Sequence, residues 1–383
     1  MDNSTHPVSS SVPVKEISRL FLKLGLIGFG GPAAHIAMMR REVVEERKWM
    51  DEQHFLDLLG AVNLIPGPNS TEMAIHIGYD KAGRKGLLAA GFCFIMPAVI
   101  ITGILAELYR SYGQLPEVTP FLYGIKPAVA AVIAGAVYPI AKNALKSTFL
   151  TLTALAVFSG SLSGICEIYL LFGSGIAAYL LYAIKNNSTK KLGAITPIGL
   201  IPAAGNLLLS SLNARLFFIF LKIGAVLYGS GYVLFALLDR ELVQTGLMNS
   251  LQLADAIAVG QFTPGPVFSS VTFIGWQING FPGAFFSTLA VFMPSFLFIA
   301  MLMPLMKIAR RSKSFSVFLD AVNAASAALV AAMFLKMAIQ EASDWRTVFI
   351  LFLSMFCVFK LKKINTAAII LGSSAAGFLL KLL

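Results

Sequence analysis

Apolar runs long enough to cross a bilayer, each bounded by charges or helix breakers, follow one another almost without interruption along the chain. A spanning helix needs about 20 apolar residues. By that measure, runs at 17–38, 55–79, 86–109, 121–141, 147–164 and 166–184 fill the first half. Runs at 214–238, 250–278, 283–306, 318–339, 346–359 and 364–383 fill the second. A weaker, Pro-interrupted run at 191–210 lies between them, so the pattern predicts an all-α polytopic membrane protein with about 12–13 transmembrane segments.

Composition agrees: 57% of the 383 residues are hydrophobic and 13% charged, outside the range of soluble domains, and no stretch is left for a separate soluble domain. Residues 1–16 are polar, with no apolar signal region, and are expected to form a short cytoplasmic tail. Cys93, Cys166 and Cys357 lie inside apolar runs without CxxC spacing, so they are expected to pack rather than to bind metal or form disulfides. The net charge of +11 would suit nucleic acid, but Lys and Arg gather in short loops between apolar runs, the mark of membrane topology.

Those loops predict sidedness. Lys81, Arg84 and Lys85, then Lys142 and Lys146, then Lys185, Lys190 and Lys191 alternate as cytoplasmic loops, which places the N-terminus inside an inner (plasma) membrane. Lys307, Arg310, Arg311 and Lys313, then Lys360, Lys362 and Lys363, have the opposite parity in the second half. The expected plan is a first repeat at 17–190, a linking segment at 191–210, and a second repeat at 211–383 that is inverted provided the linking segment crosses. Arg40 to Glu52, dense in both signs, is expected to be an amphipathic surface or loop segment.

Sequence similarity between the halves points to the same plan. FLKLGLIGFGG at 21–31 matches FLKIGAVLYGS at 220–230, with Lys23 on Lys222, an offset of 222 − 23 = 199. DLLGAVNLIPGP at 57–68 matches DAIAVGQFTPGP at 255–266, pairing Asp57 with Asp255 and Asn63 with Gln261, an offset of 264 − 66 = 198. GLLAAGFCFIMP at 86–97 matches GAFFSTLAVFMP at 283–294, at 294 − 97 = 197. Inverted repeats are a recurrent plan of secondary transporters, with substrate near the midplane between them.

The sharpest motif is Pro66-Gly67-Pro68 and its counterpart Pro264-Gly265-Pro266, each inside an apolar run. Two prolines remove two amide donors and glycine permits a reversal, so both helices should break there. Broken backbone at membrane depth survives only inside protein or beside water. The half-helices that follow begin with Asn69, Ser70 and Thr71, and with Val267, Phe268, Ser269 and Ser270. Their unpaired amides and positive dipole end suit an oxyanion without a full cation in the bilayer. The plainer alternative is a kinked or re-entrant tip that only packs. Glycines beside the breaks (Gly28, Gly30 and Gly31, then Gly224, Gly229 and Gly231) serve either close helix packing or a second backbone lining of the path.

Ionisable residues inside apolar runs cost about 2.5–3.5 kcal/mol each at the bilayer centre and so invite a functional reading. Lys23 and Lys222 either attract anions or snorkel to the interface, and Lys126 and Lys336 are lesser candidates. Glu72 and His76 sit four apart on one helical face, as a proton-coupling pair or a structural contact; the second half has Ser270 and Ile274 there. No metal-ligand spacing, nucleophile triad or phosphate loop is present, so neither an enzyme nor a cofactor is expected.

The stretch FLKLGLIGFGGPAAHIAMMRREVVEERKWMDEQHFLDLLGAVNLIPGPNSTEMAIHIGY resembles the first-half signature of the chromate ion transporter family, and KIGAVLYGSGYV with QFTPGPV resembles its second-half signature. The resemblance covers essentially the whole chain and implies export of chromate, with sulfate as the isosteric dianion. A sulfate or other small-anion carrier, or an anion channel, would share the architecture, and an oligomer is compatible with it. Carried over residue by residue, it marks Lys23, Gly30, Gly31, Pro32, Asn63, both Pro-Gly-Pro triplets, Asn69 and Glu72. The second half departs in reading Gly229-Ser230-Gly231 where the first has Gly30-Gly31-Pro32.

Overall fold

The computed structural model describes residues 12–29, 31–113, 115, 119–185, 211–228, 231–309, 313–341, 344–361 and 366–382. The expected tail up to residue 11, run 191–210 and Gly30, Gly229 and Ser230 lie outside the described residues. Within them the α-helices fall into two sets of seven. The first set is α1 (Val14–Ile27), α2 (Gly31–Arg40), α3 (Glu52–Val62), α4 (Asn69–Tyr112), α5 (Thr119–Ala144), α6 (Thr148–Leu162) and α7 (Glu167–Lys185). The second is α8 (Leu212–Val226), α9 (Val233–Leu238), α10 (Ser250–Phe262), α11 (Ser270–Ala309), α12 (Lys313–Glu341), α13 (Trp345–Lys360) and α14 (Thr366–Leu382). Even the irregularities repeat, with π-helical turns at Arg41–Glu46 after α2 and at Asp239–Val243 after α9.

Helices α4 and α11 each fold back on themselves, at Ala82-Gly83 and at Asn279-Gly280, where Gly83 and Gly280 take left-handed φ of 56° and 60°. The arms then touch through glycine. A Cβ on Gly78 or Gly86 would run into the other's carbonyl, and Gly275 and Gly283 meet in the same way. The Thr272 and Thr288 hydroxyls bond across the second hairpin at 2.8 Å. Segments long and apolar enough to cross a membrane are 69–112, 120–144, 167–185, 267–301 and 313–341.

Two runs expected to span as single helices do not. The run at 17–38 divides into α1 and α2, and the run at 214–238 into α8 and α9. Helix α1 has 14 residues, about 21 Å at 1.5 Å per residue, short of a core roughly 30 Å thick. It stops where Gly28 ends the helix and Gly31 takes φ 79°. The His35 imidazole nitrogen Nε2 lies 2.9 Å from the Gly28 carbonyl and supplies the hydrogen bond that a continuing helix would have made.

The halves interlace rather than sit side by side. Helix α1 packs on α4, α8 on α11, and α4 on α11. Close approach is again set by glycine: Gly25 lies under the carbonyls of Cys93 and Phe94, and Gly224 under that of Val291, the counterpart of Phe94 at 291 − 94 = 197. The remaining helices are exchanged, α5 packing on α13 and α14 and α12 on α6 and α7. Helix α5 also packs on α12, and both carry small buried residues, Ala128, Ala130 and Ala131 in α5 and Ala324, Ala325, Ala327 and Ala328 in α12.

Candidate functional site

Both Pro-Gly-Pro triplets lie between helical elements: α3 ends at Val62 before α4 starts at Asn69, and α10 ends at Phe262 before a 3-10 turn over Val267–Ser269 leads into α11. Gly67 and Gly265 take φ of 141° and 92°, a region that side-chain-bearing residues avoid. Each glycine amide is used across the repeats. Gly67 N–H donates to the Leu227 carbonyl at 2.7 Å, and Gly265 N–H donates to the Gly28 carbonyl at 2.7 Å. Leu227 and Gly28 are repeat counterparts, 227 − 28 = 199, and they cap α8 and α1. Each break thus satisfies the orphan carbonyl at the end of the other repeat's first helix.

Pro66, Pro68, Pro264 and Pro266 are buried with their glycines, as are Ser70, Thr71 and Ser269. At the head of α4, Thr71 N–H and Glu72 N–H both donate to the Pro68 carbonyl, at 2.8 and 3.0 Å. The amides of Asn69 and Ser70 precede the first bond that the helix itself can offer. Glu72 is wholly buried one turn in. Its Oε1 accepts from Ser295 Oγ at 3.3 Å, while Oε2 has no hydrogen-bond partner among the described residues, and neither has the buried Thr71 hydroxyl. Space at Gly67 is closed by the same groups, since a Cβ there would strike Glu72 Oε1 and Ser295 Oγ. At Gly265 a Cβ would meet Ala98 Cβ at 2.9 Å and the Gly25 carbonyl at 3.3 Å. The Thr102 hydroxyl reaches Ser269 Oγ at 3.3 Å. His76 is buried one turn beyond Glu72.

The mouth of the first break is polar. Asn69 Nδ2 donates to Asn63 Oδ1 at 3.1 Å, and Asn63 is exposed. Its counterpart Gln261 is buried. Gly31 opens α2, with nothing within 4 Å of where its Cβ would stand. Lys23 and Lys222 are each bonded to a carboxylate, Glu42 and Glu241, 19 residues on in both repeats. Arg47 Nε also donates to Glu42, at 3.1 Å. These lysines therefore bring neutralised charge, not bare cations.

Sequence reasoning missed Ser295, Thr102, the Gly28 and Leu227 carbonyls and the two glutamates. One signal was available: Glu42 and Glu241 keep the 199 offset of their lysines, 241 − 42 = 199. Ser295 has no such mark, because its counterpart at 295 − 197 = 98 is Ala98.

A helical membrane transporter, two repeats interlocked at a pair of broken helices, is the class this architecture defines. The family model described as chromate transporter matches residues 15–180 and 214–378, one match to each half, and the chain belongs to that family. Among its relatives are the probable chromate transport protein of Synechococcus elongatus, 31% identical over 97% of this chain and 96% of its own, and the chromate transport protein of Cupriavidus metallidurans, 28% identical over 95% and 92%. The chromate transport protein of Pseudomonas aeruginosa is 27% identical over 99% and 95%. No solved structure matches the chain.

Proposed function

We propose that this chain is a secondary carrier that exports chromate from the cytoplasm, with an N-terminus inside the plasma membrane and the second repeat inverted. The dianion is bound at the two Pro-Gly-Pro breaks. The observation that carries this reading is the reciprocal pair of hydrogen bonds, Gly67 to Leu227 and Gly265 to Gly28, which holds two helix breaks against one repeat interface. A tetrahedral oxyanion there would meet helix-head amides and the hydroxyls of Ser70, Thr71 and Ser269, hydrogen-bond donors that need no bare cation.

Glu72 gives the site its coupling. An ionised carboxylate repels an arriving dianion, whereas a protonated one adds a donor, so proton and chromate occupancy are linked at Glu72, with His76 one turn away to pass the proton on. The direction follows from charge. Expelling a dianion down an inside-negative 100 mV potential releases about 2 × 2.3 = 4.6 kcal/mol, more than a thousandfold in gradient, and about 2.3 kcal/mol where one proton leaves with it.

The test is labelled chromate uptake into everted vesicles, with potential and pH gradient clamped separately and sulfate added as competitor. Saturable uptake driven by an interior-positive potential is expected. Uptake equal to empty vesicles while sulfate moves would leave the transporter and remove the substrate assignment; flux that never saturates would mark a channel.

A further inference from the structure

We propose that the hydrogen bond from Tyr109 to Asp255 is a gate on the second-repeat side of the site, and that the structure is the state open to water on the first-repeat side. The inference rests on the proposed transport role for its purpose, but its observations are independent of any substrate.

Counterpart elements of the two repeats are buried to different extents. In α9 all six residues from Val233 to Leu238 are buried, whereas in α2 only His35 and Met39 are. In α10 the run from Leu253 to Ala258 is buried without a gap, whereas in α3 burial is confined to Phe55, Leu58, Ala61 and Val62. Asp57 and Asp255 are counterparts, yet Asp57 is exposed and Asp255 is 4% exposed. Asn63 and Gln261 divide in the same way, as do Asn69, partly exposed, and Val267, buried. These three pairs differ in the same sense as the helices that carry them, with Ala61 and its counterpart Val259 the exception.

The segments that bury the second mouth are identifiable. Helix α10 packs on α5 and α14, and α9 packs on α12 and α7. Tyr109 Oη, near the end of the long arm of α4, donates to Asp255 Oδ2 of α10 at 2.7 Å. Lys126 of α5 acts electrostatically on both Asp255 of α10 and Glu341 of α12. The Tyr109 ring is fixed edge-on against Phe273 of α11 at 5.1 Å. Asp255 Oδ1 is buried with no hydrogen-bond partner among the described residues, so the tyrosine holds a carboxylate that would otherwise favour water.

The gate is built on one side only. Tyr109 maps to Met306, at 109 + 197 = 306, which cannot hold Asp57 in the same way. Inverted repeats change access by exchanging conformations. In the opposite state α10 therefore leaves α5 and α14, Asp255 meets water, and α3 docks on their counterparts α12 and α7. Tyr109 and Asp255 are positioning residues: they set which mouth is shut.

The experiment uses the full chain with Cys93, Cys166 and Cys357 replaced, purified in detergent so that both faces meet reagent. Single Asn63→Cys and Gln261→Cys reporters are labelled with a water-soluble maleimide. Cysteine at 63 is expected to react at least tenfold faster than at 261. Adding Tyr109→Phe or, separately, Tyr109→Met, each of which removes the hydroxyl and keeps the Asp255 carboxylate, should speed labelling at 261 by roughly tenfold, the scale of one lost hydrogen bond to a charged group, and slow it at 63. A substitution that merely loosens the fold would speed both. Equal parent rates, acceleration at both positions, or no change with either variant would overturn the gate. The labelling shift without chromate flux in vesicles would keep the gate and remove the substrate.

Discussion

Gly67 and Gly265 hold the same backbone in different chemical surroundings. Around Gly67 stand Glu72 and Ser295; at the counterpart positions near Gly265 the chain has Ser270 and Ala98, at 72 + 198 = 270 and 295 − 197 = 98. Both glycines are left-handed, and both cap the other repeat's first helix at 2.7 Å. The duplicated part is thus the break itself, and the ionisable part is single. Backbone contact with an anion is available from both repeats, while proton handling rests on one. A carrier needs two mouths but only one place where proton and substrate occupancy are linked.

The largest expected effect tests the shared half of that comparison. Gly67→Leu and Gly265→Leu each place a side chain where φ is 141° or 92° and where Glu72 and Ser295, or Ala98 and Gly25, already fill the space. Strain and overpacking together should exceed about 3 kcal/mol, which lowers vesicle uptake roughly a hundredfold or more. Membrane-fraction yields should stay normal. Undiminished flux in both variants would break the symmetry argument outright. The next effect tests the unshared half. Glu72→Gln should reduce uptake about tenfold and remove its response to a pH gradient, whereas Ser270→Ala should cost under about 1 kcal/mol and keep that response. A pH response that survives Glu72→Gln would place the coupling elsewhere.

What could be read from residues alone follows how locally each feature is encoded. The repeat was legible because its offsets run 199, 198 and 197 in order, and the helix breaks at 66–68 and 264–266 because proline forbids the helix whatever surrounds it. The division of 17–38 was not legible, since the same glycines serve tight packing in an unbroken helix; the deciding partner, His35 on the Gly28 carbonyl, is a tertiary contact. Lys23 and Lys222 read as anion-attracting or snorkelling charges because their glutamates lie 19 residues away, beyond any helical spacing. Tyr109 with Asp255, and Glu72 with Ser295, are separated by 146 and 223 residues, and only the packing of α4 on the second repeat joins them.

The smallest effect sharpens the comparison through those lysines. In the first repeat Glu42 is held twice, by Lys23 and by Arg47, and the Lys23 side chain is half exposed at 50%. In the second, the described residues give Glu241 the single partner Lys222, whose side chain is 27% exposed. A carboxylate that keeps another cation loses little when a half-exposed lysine goes, about 0–1 kcal/mol, whereas stripping the sole described partner costs more, although Glu241 at 19% is less buried than Glu42 at 8%. Lys23→Met should therefore shift the thermal midpoint of the purified protein by about a degree or two, and Lys222→Met by roughly twice that. Added salt should diminish the Lys23→Met effect by the larger fraction, since screening acts most on the more exposed lysine. If Lys23→Met proved the more damaging, Arg47 would not be sharing Glu42, and the first-repeat lysine would regain its standing as a cation poised for the anion.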